Sequence, residues 1–150
     1  MYRGRKESGE YKNIFGTDIS GKVLSERLGM YMHQHTCYYG YRPLGTSALV
    51  GAYDPINKYT LHQLTPSGEC TQYHGTATGR GKQAAKSEIE KRDWRGMTCA
   101  DALDHVAKIL LTCSEETKDK SRELEFAVIA EESKNEFKKI TADRCSEILT

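Results

Sequence analysis

All three prolines of the chain, Pro43, Pro55 and Pro66, fall in one stretch, where together with Gly40, Gly45 and Gly68 they cut the sequence into pieces too short for good helices. Proline fixes φ and removes a backbone donor, while glycine favours turns, so the pieces read as strands joined by tight connections. "TSALVGAYD" reads as a mostly buried strand. "KYTLHQL" is a second, alternating Tyr59, Leu61 and Gln63 against Thr60, His62 and Leu64, with "PINK" as the turn between the two. "TPSGE" supplies another turn and "CTQYHG" a third strand, so the pattern predicts a three-stranded antiparallel meander.

Helical periodicity brackets this meander. "TDISGKVLSERLGMYMHQH" repeats apolar residues at Ile19, Val23, Leu24, Leu28, Tyr31 and Met32, and offers Thr17 or Asp18 as the N-terminal cap. "GRGKQAAKSEIEKRDW" predicts a second helix and "TCADALDHVAKILLTC" a third. In the third, Thr98 and Asp101 make a variant capping box, and Ala102, Leu103, Val106, Ile109, Leu110 and Cys113 share one face. "SEETKDKSRE" reads as a charge-dense loop, "LEFAVIAEES" as a strand alternating Leu124, Phe126, Val128 and Ala130, and "TADRCSEIL" as a short closing helix capped by Thr141. Runs of strands next to runs of helices, without strict alternation, predict an α+β layered sandwich and not a doubly wound nucleotide fold.

The chemistry-bearing residues point to no reaction centre. At 150 residues the chain is expected to be one domain, and no apolar stretch approaches the roughly 20 residues that span a bilayer. "MYRGRKESGEYKN" lacks the apolar middle of a secretory signal, which implies an intracellular chain. With 22 basic and 21 acidic residues no whole-chain field favours nucleic acid, and Arg3, Arg5 and Lys6 read as a solvated tail or helix end. Five cysteines without a CxxC pair read as reduced thiols, and His33 and His35, two apart, point to different sides of a helix and predict no metal site. "GTATGRGKQ" departs from a phosphate loop, with Thr76 where the first glycine belongs and Gln83 where a hydroxyl belongs, so a backbone turn feeding a helix is expected. No G-x-S-x-G elbow occurs, and Ser67 sits in a turn that Pro66 and Gly68 already explain. No catalytic, metal or cofactor-binding residue is predicted. Arg42 in "GYRPLG" carries five donors on a turn stiffened by Pro43, which suits a structural clamp better than an anion site.

Taken in order, "YYGYRPLGTSALVGAYD", "LTPSGE", "GTATGRGKQAAKSEIEK" and "MTCADALDHVAKIL" resemble the C-terminal part of the eukaryotic 20S proteasome α subunits, closest to the α type-3 kind, from about Tyr11 to Ile148. The resemblance implies the α/β/β/α sandwich of the N-terminal-nucleophile hydrolases, incomplete in this chain, as a single partial domain over residues 1–150. It places the helix from Thr17 to His35 in one outer layer and the two helices from Gly81 to Cys113 in the other. Arg5 to Phe15 resembles only the last turns of the preceding family helix, so strands of the sandwich have no counterpart in the sequence. Thr65 stands where the family usually has Asp, and Gly51 with Ala52 makes a lean strand. By the same resemblance the expected role is a non-catalytic subunit of a seven-membered ring that gates substrate entry in ubiquitin-dependent degradation, in cytoplasm and nucleus. Other α and β subunits would be its partners, and regulatory particles would be met through the ring. The related peptidase subunits use an N-terminal Thr as nucleophile, whereas this sequence starts Met1-Tyr2-Arg3 and Thr17 opens a helix. A threonine-type peptidase and a free-standing binding module are the weaker alternatives. Tyr39, Gly40, Arg42, Pro43 and Gly45 are expected to form a loop facing the ring axis or a neighbouring subunit. An incomplete sandwich is also expected to leave apolar sheet faces open, giving a loosely packed, self-associated or partner-dependent chain.

Overall fold

The structure is a computed structural model that describes residues 2–116 and 124–140. The chain divides into two compact units, Met1–His74 and Gly75–Thr150.

The first unit contains α1 (Tyr2–Phe15), α2 (Gly21–Cys37) and strands β1 (Ala48–Asp54), β2 (Lys58–Leu64) and β3 (Cys70–Tyr73). The strands pair antiparallel in the order β1-β2-β3, with Val50 opposite His62 and Leu64 opposite both Ala48 and Cys70, so the predicted meander is present. At the β1–β2 turn the Asp54 carboxyl accepts from the Asn57 amide at 2.7 Å, the Ile56 amide at 3.0 Å and Asn57 Nδ2 at 3.2 Å. Those donors, the Asn57 amide foremost, hold the carboxyl below the ordinary aspartate range against the opposing effect of burial.

α2 lies on one face of this sheet. A Cβ placed on Gly21 would come within 2.5 Å of Ala52 Cβ and 2.8 Å of Thr60 Oγ1. The lean composition of β1 therefore has a packing cause: the small pair Gly21 and Ala52 lets helix and strand approach backbone to backbone. Leu64, Met32, Ser25 and His62 are buried in this unit. Residues of opposite parity point to the other sheet face, and there Leu49, Tyr59 and Tyr73 stay 45%, 47% and 38% exposed.

Arg3, Arg5 and Lys6 lie in the first turns of α1, the helix end expected of them. One sequence expectation changes just beyond this helix. Neither Thr17 nor Asp18 caps α2: Gly16, at φ +70°, ends α1 with its amide on Lys12 O at 2.9 Å, and Asp18 pairs with Lys12 at 2.9 Å. The cap is Ser20, whose hydroxyl accepts from the Val23 amide.

In the second unit α3 spans Lys82–Glu90 and follows Gly79 and Gly81, both in the left-handed region, as a backbone turn feeding a helix. It ends well before Trp94, whose indole N–H instead donates to Ile89 O at 2.7 Å. α4 (Cys99–Glu116) begins with the expected pair: the Thr98 hydroxyl accepts from the Asp101 amide and donates to the Asp101 carboxylate. Among its described side chains Ala107 and Ile109 are buried, while Val106 and Leu110 are each 38% exposed, so the predicted apolar face is only partly the packed one. Leu103 and Ala107 pack with Phe126, Leu124 and Ile140. The predicted alternation survives in burial, with Phe126 and Ala130 inside, but the strand β4 is only Ala127–Val128 and pairs with β5, Lys138–Lys139. Most of the charge-dense loop, the Thr141-capped closing helix and Cys145 lie outside the described residues.

Candidate functional site

The loop singled out by the sequence leaves the last turn of α2. The Tyr38 amide still bonds Gln34 O, and the Tyr41 amide donates to Tyr38 O at 3.2 Å across a turn in which Gly40 takes φ +94°. Glycine adopts that conformation without the steric cost a side chain would bring. The turn leaves Tyr39 fully exposed and Tyr41 64% exposed, and Arg42, Pro43 and Gly45 are exposed beyond it. Arg42 meets no hydrogen-bond or ion-pair partner among the described residues, so the clamp expected of it is not made with any of these.

An arginine clamp exists elsewhere. Glu7, buried at 8% exposure, accepts from Arg3 on its own helix and from Arg27 on α2 at 3.4 Å. The same two guanidiniums lie over aromatic rings, Arg3 at 4.7 Å from the Tyr31 centroid and Arg27 at 5.3 Å from that of Tyr11. Arg3 and Glu7 are four apart, a helical pairing visible in the sequence. Arg27 joins from 20 residues away, which local spacing does not reveal.

Beneath the loop, His35 Nδ1 bonds Tyr31 O at 2.8 Å and its ring stands edge-on to Tyr31 and Tyr41. Tyr31, Gln34, His35, Tyr38 and Tyr41 line a hollow of about 390 Å³. His33 turns the other way, as its spacing requires: Nδ1 lies 3.0 Å from Ser67 O and Nε2 3.3 Å from Cys37 Sγ. Among the described residues no group of three or more His, Cys, Asp and Glu is placed to hold a metal ion. No described helix is long and apolar enough to cross a membrane.

The turn carrying Ser67 is fixed against α2. Gly68 sits at φ +90°, where a Cβ would come within 2.6 Å of both Gly29 O and His33 Cβ. Thr65 closes the turn with its hydroxyl 2.7 Å from Ser67 Oγ and its carbonyl accepting from the Gly68 amide.

The family model described as "Proteasome subunit" matches residues 1–129. The chain is 41% identical over 148 residues to "Proteasome subunit alpha type-3" of Arabidopsis thaliana, covering 99% of this chain and 59% of that relative. It is 41% identical over 133 residues to the protein of that name from Dictyostelium discoideum, covering 89% and 53%. It is 38% identical over 128 residues to "Probable proteasome subunit alpha type-7" of Saccharomyces cerevisiae, covering 83% and 44%. The chain thus spans less than two thirds of the length of the curated relatives it matches.

Proposed function

The chain belongs to the proteasome subunit family, and from that premise we propose that it is a structural, non-catalytic subunit of the α ring of the 20S core particle, of the α type-3 kind. The observation that carries this reading is the 41% identity running along 99% of the chain to a relative named as an α type-3 subunit. In this role it contributes to ring assembly and to the gating of substrate entry during ubiquitin-dependent degradation, in cytoplasm and nucleus. Its partners are the other α and β subunits, with regulatory particles engaged through the ring. The loop of Tyr39, Gly40, Arg42, Pro43 and Gly45 is its contact with the ring axis or a neighbour. What supports that assignment is the exposure of Arg42, which meets no partner among the described residues, together with the outward tyrosines, since aromatic residues and arginine carry much of the energy at protein interfaces.

The test is recovery of the tagged chain from cells. Co-migration with particles of proteasome size is expected, and a small monomer free of other subunits would overturn the reading. Arg42→Ala should lower incorporation, and unchanged incorporation would remove the loop from the contact. The purified chain should not turn over fluorogenic peptides. Turnover stopped by a threonine-directed inhibitor would instead make it a peptidase of the same family.

A further inference from the structure

We propose that Cys37 and His33 form a thiol–imidazole pair that reacts with small disulfides, making the last turn of α2 a site of reversible S-thiolation. The geometry assigns the protons. Ser67 O can only accept, so the hydrogen bond at 3.0 Å requires the proton on His33 Nδ1. In the neutral ring that leaves Nε2 as an acceptor, and it lies 3.3 Å from Cys37 Sγ, within reach of the thiol proton. A base oriented by a third group beside a sulfur nucleophile is the arrangement that activates thiols. The orienting group is itself held: Ser67 belongs to the turn whose Gly68 packs against Gly29 and His33 Cβ. The ring is therefore aimed by the tertiary fold and not by helix spacing alone. Both side chains are exposed, so a disulfide reaches the sulfur without local opening.

In the reaction the Cys37 S–H bond breaks and its proton passes to His33 Nε2. The thiolate attacks one sulfur of the incoming disulfide, a new S–S bond forms to Cys37, and the old S–S bond breaks. The departing thiolate takes the proton back from His33. Cys37 is oxidised to a mixed disulfide and the small disulfide is reduced to one free thiol, with no further reagent consumed. Cys70 offers a contrast within the same unit, since burial, with the Glu26 carboxylate adding to it, pushes its thiol up and away from the reactive form.

The experiment treats the full chain with oxidised glutathione and follows adduct formation at each cysteine by peptide mass spectrometry. Cys99, exposed at the start of α4 and remote in sequence from His33, is the internal reference. His33→Gln should slow adduct formation at Cys37 by about fivefold or more while leaving Cys99 unchanged, because the rate follows the thiolate available to attack. An unchanged Cys37 rate in that variant overturns the proposal. A second measurement needs no variant. In the native wild-type chain Cys37 should react faster than in guanidinium, which abolishes the aimed imidazole, and an equal or slower native rate overturns the proposal as well. Neither readout depends on incorporation into a particle.

Discussion

Glu7 is the residue on which two helices converge, and replacing its charge tests how much of the α1–α2 contact is electrostatic. Removing one partner of a fully buried ion pair costs about 3–5 kcal/mol, because the other charge is left without compensation. The two arginines that Glu7 binds are 41% and 34% exposed at the side chain, so water takes over part of their stabilisation. Glu7→Gln is therefore expected to destabilise by a smaller amount, about 1–2 kcal/mol in urea unfolding, and a change within about 0.3 kcal/mol would show the clamp to be decorative. Ser25 gives the opposite sign. Its hydroxyl is fully buried with no partner among the described residues, as is Nδ1 of His62. A polar atom buried without a hydrogen bond opposes folding, so Ser25→Ala should leave stability within about 0.5 kcal/mol or raise it. A loss above about 1 kcal/mol would mean that the hydroxyl is bonded.

At the scale of elements, the β1–β2 hairpin carries a pH dependence of known direction. The folded Asp54 carboxyl titrates below the unfolded one, so its contribution is present above about pH 4 and disappears as pH falls through the folded value. Acidification should weaken the amide protection of Ile56 and Asn57, read by hydrogen exchange, and Asp54→Asn should flatten that profile. The meander itself was legible because alternation and three prolines leave few other solutions for residues 46–73. The start of α2 was less so: "TDIS" offers three capping side chains within four residues, and only the capture of Asp18 by Lys12 and the arrest of α1 at Gly16 leave the position to Ser20. The face of α4 was only partly legible for a related reason. Periodicity finds an apolar stripe, but Phe126 arrives from another element and selects Leu103 and Ala107, leaving Val106 and Leu110 half outside. The loop after α2 was legible in position from its glycines and proline. That Arg42 finds no partner among the described residues was not, since the nearest carboxylates in space are set by packing.

For the whole molecule the part-exposed sheet face of the first unit bears on behaviour in solution. Leu49, Tyr59 and Tyr73 lie on the side of the sheet away from α2, and apolar surface of this kind drives association in water. The isolated chain is expected to sediment as a concentration-dependent mixture over the range of about 1–100 μM, and a double variant Leu49→Lys with Tyr59→Lys to move toward monomer. A monodisperse wild-type monomer with one sharp calorimetric transition would count against it. A different consequence follows from the contact of Gly29 with Gly68, where a Cβ on Gly29 would lie 2.7 Å from Gly68 O and no side chain can act as a cushion. A side chain at either position would have to push the Thr65–Gly68 turn away from α2, so the seat of this turn on the helix depends on two residues that contribute no side chain at all.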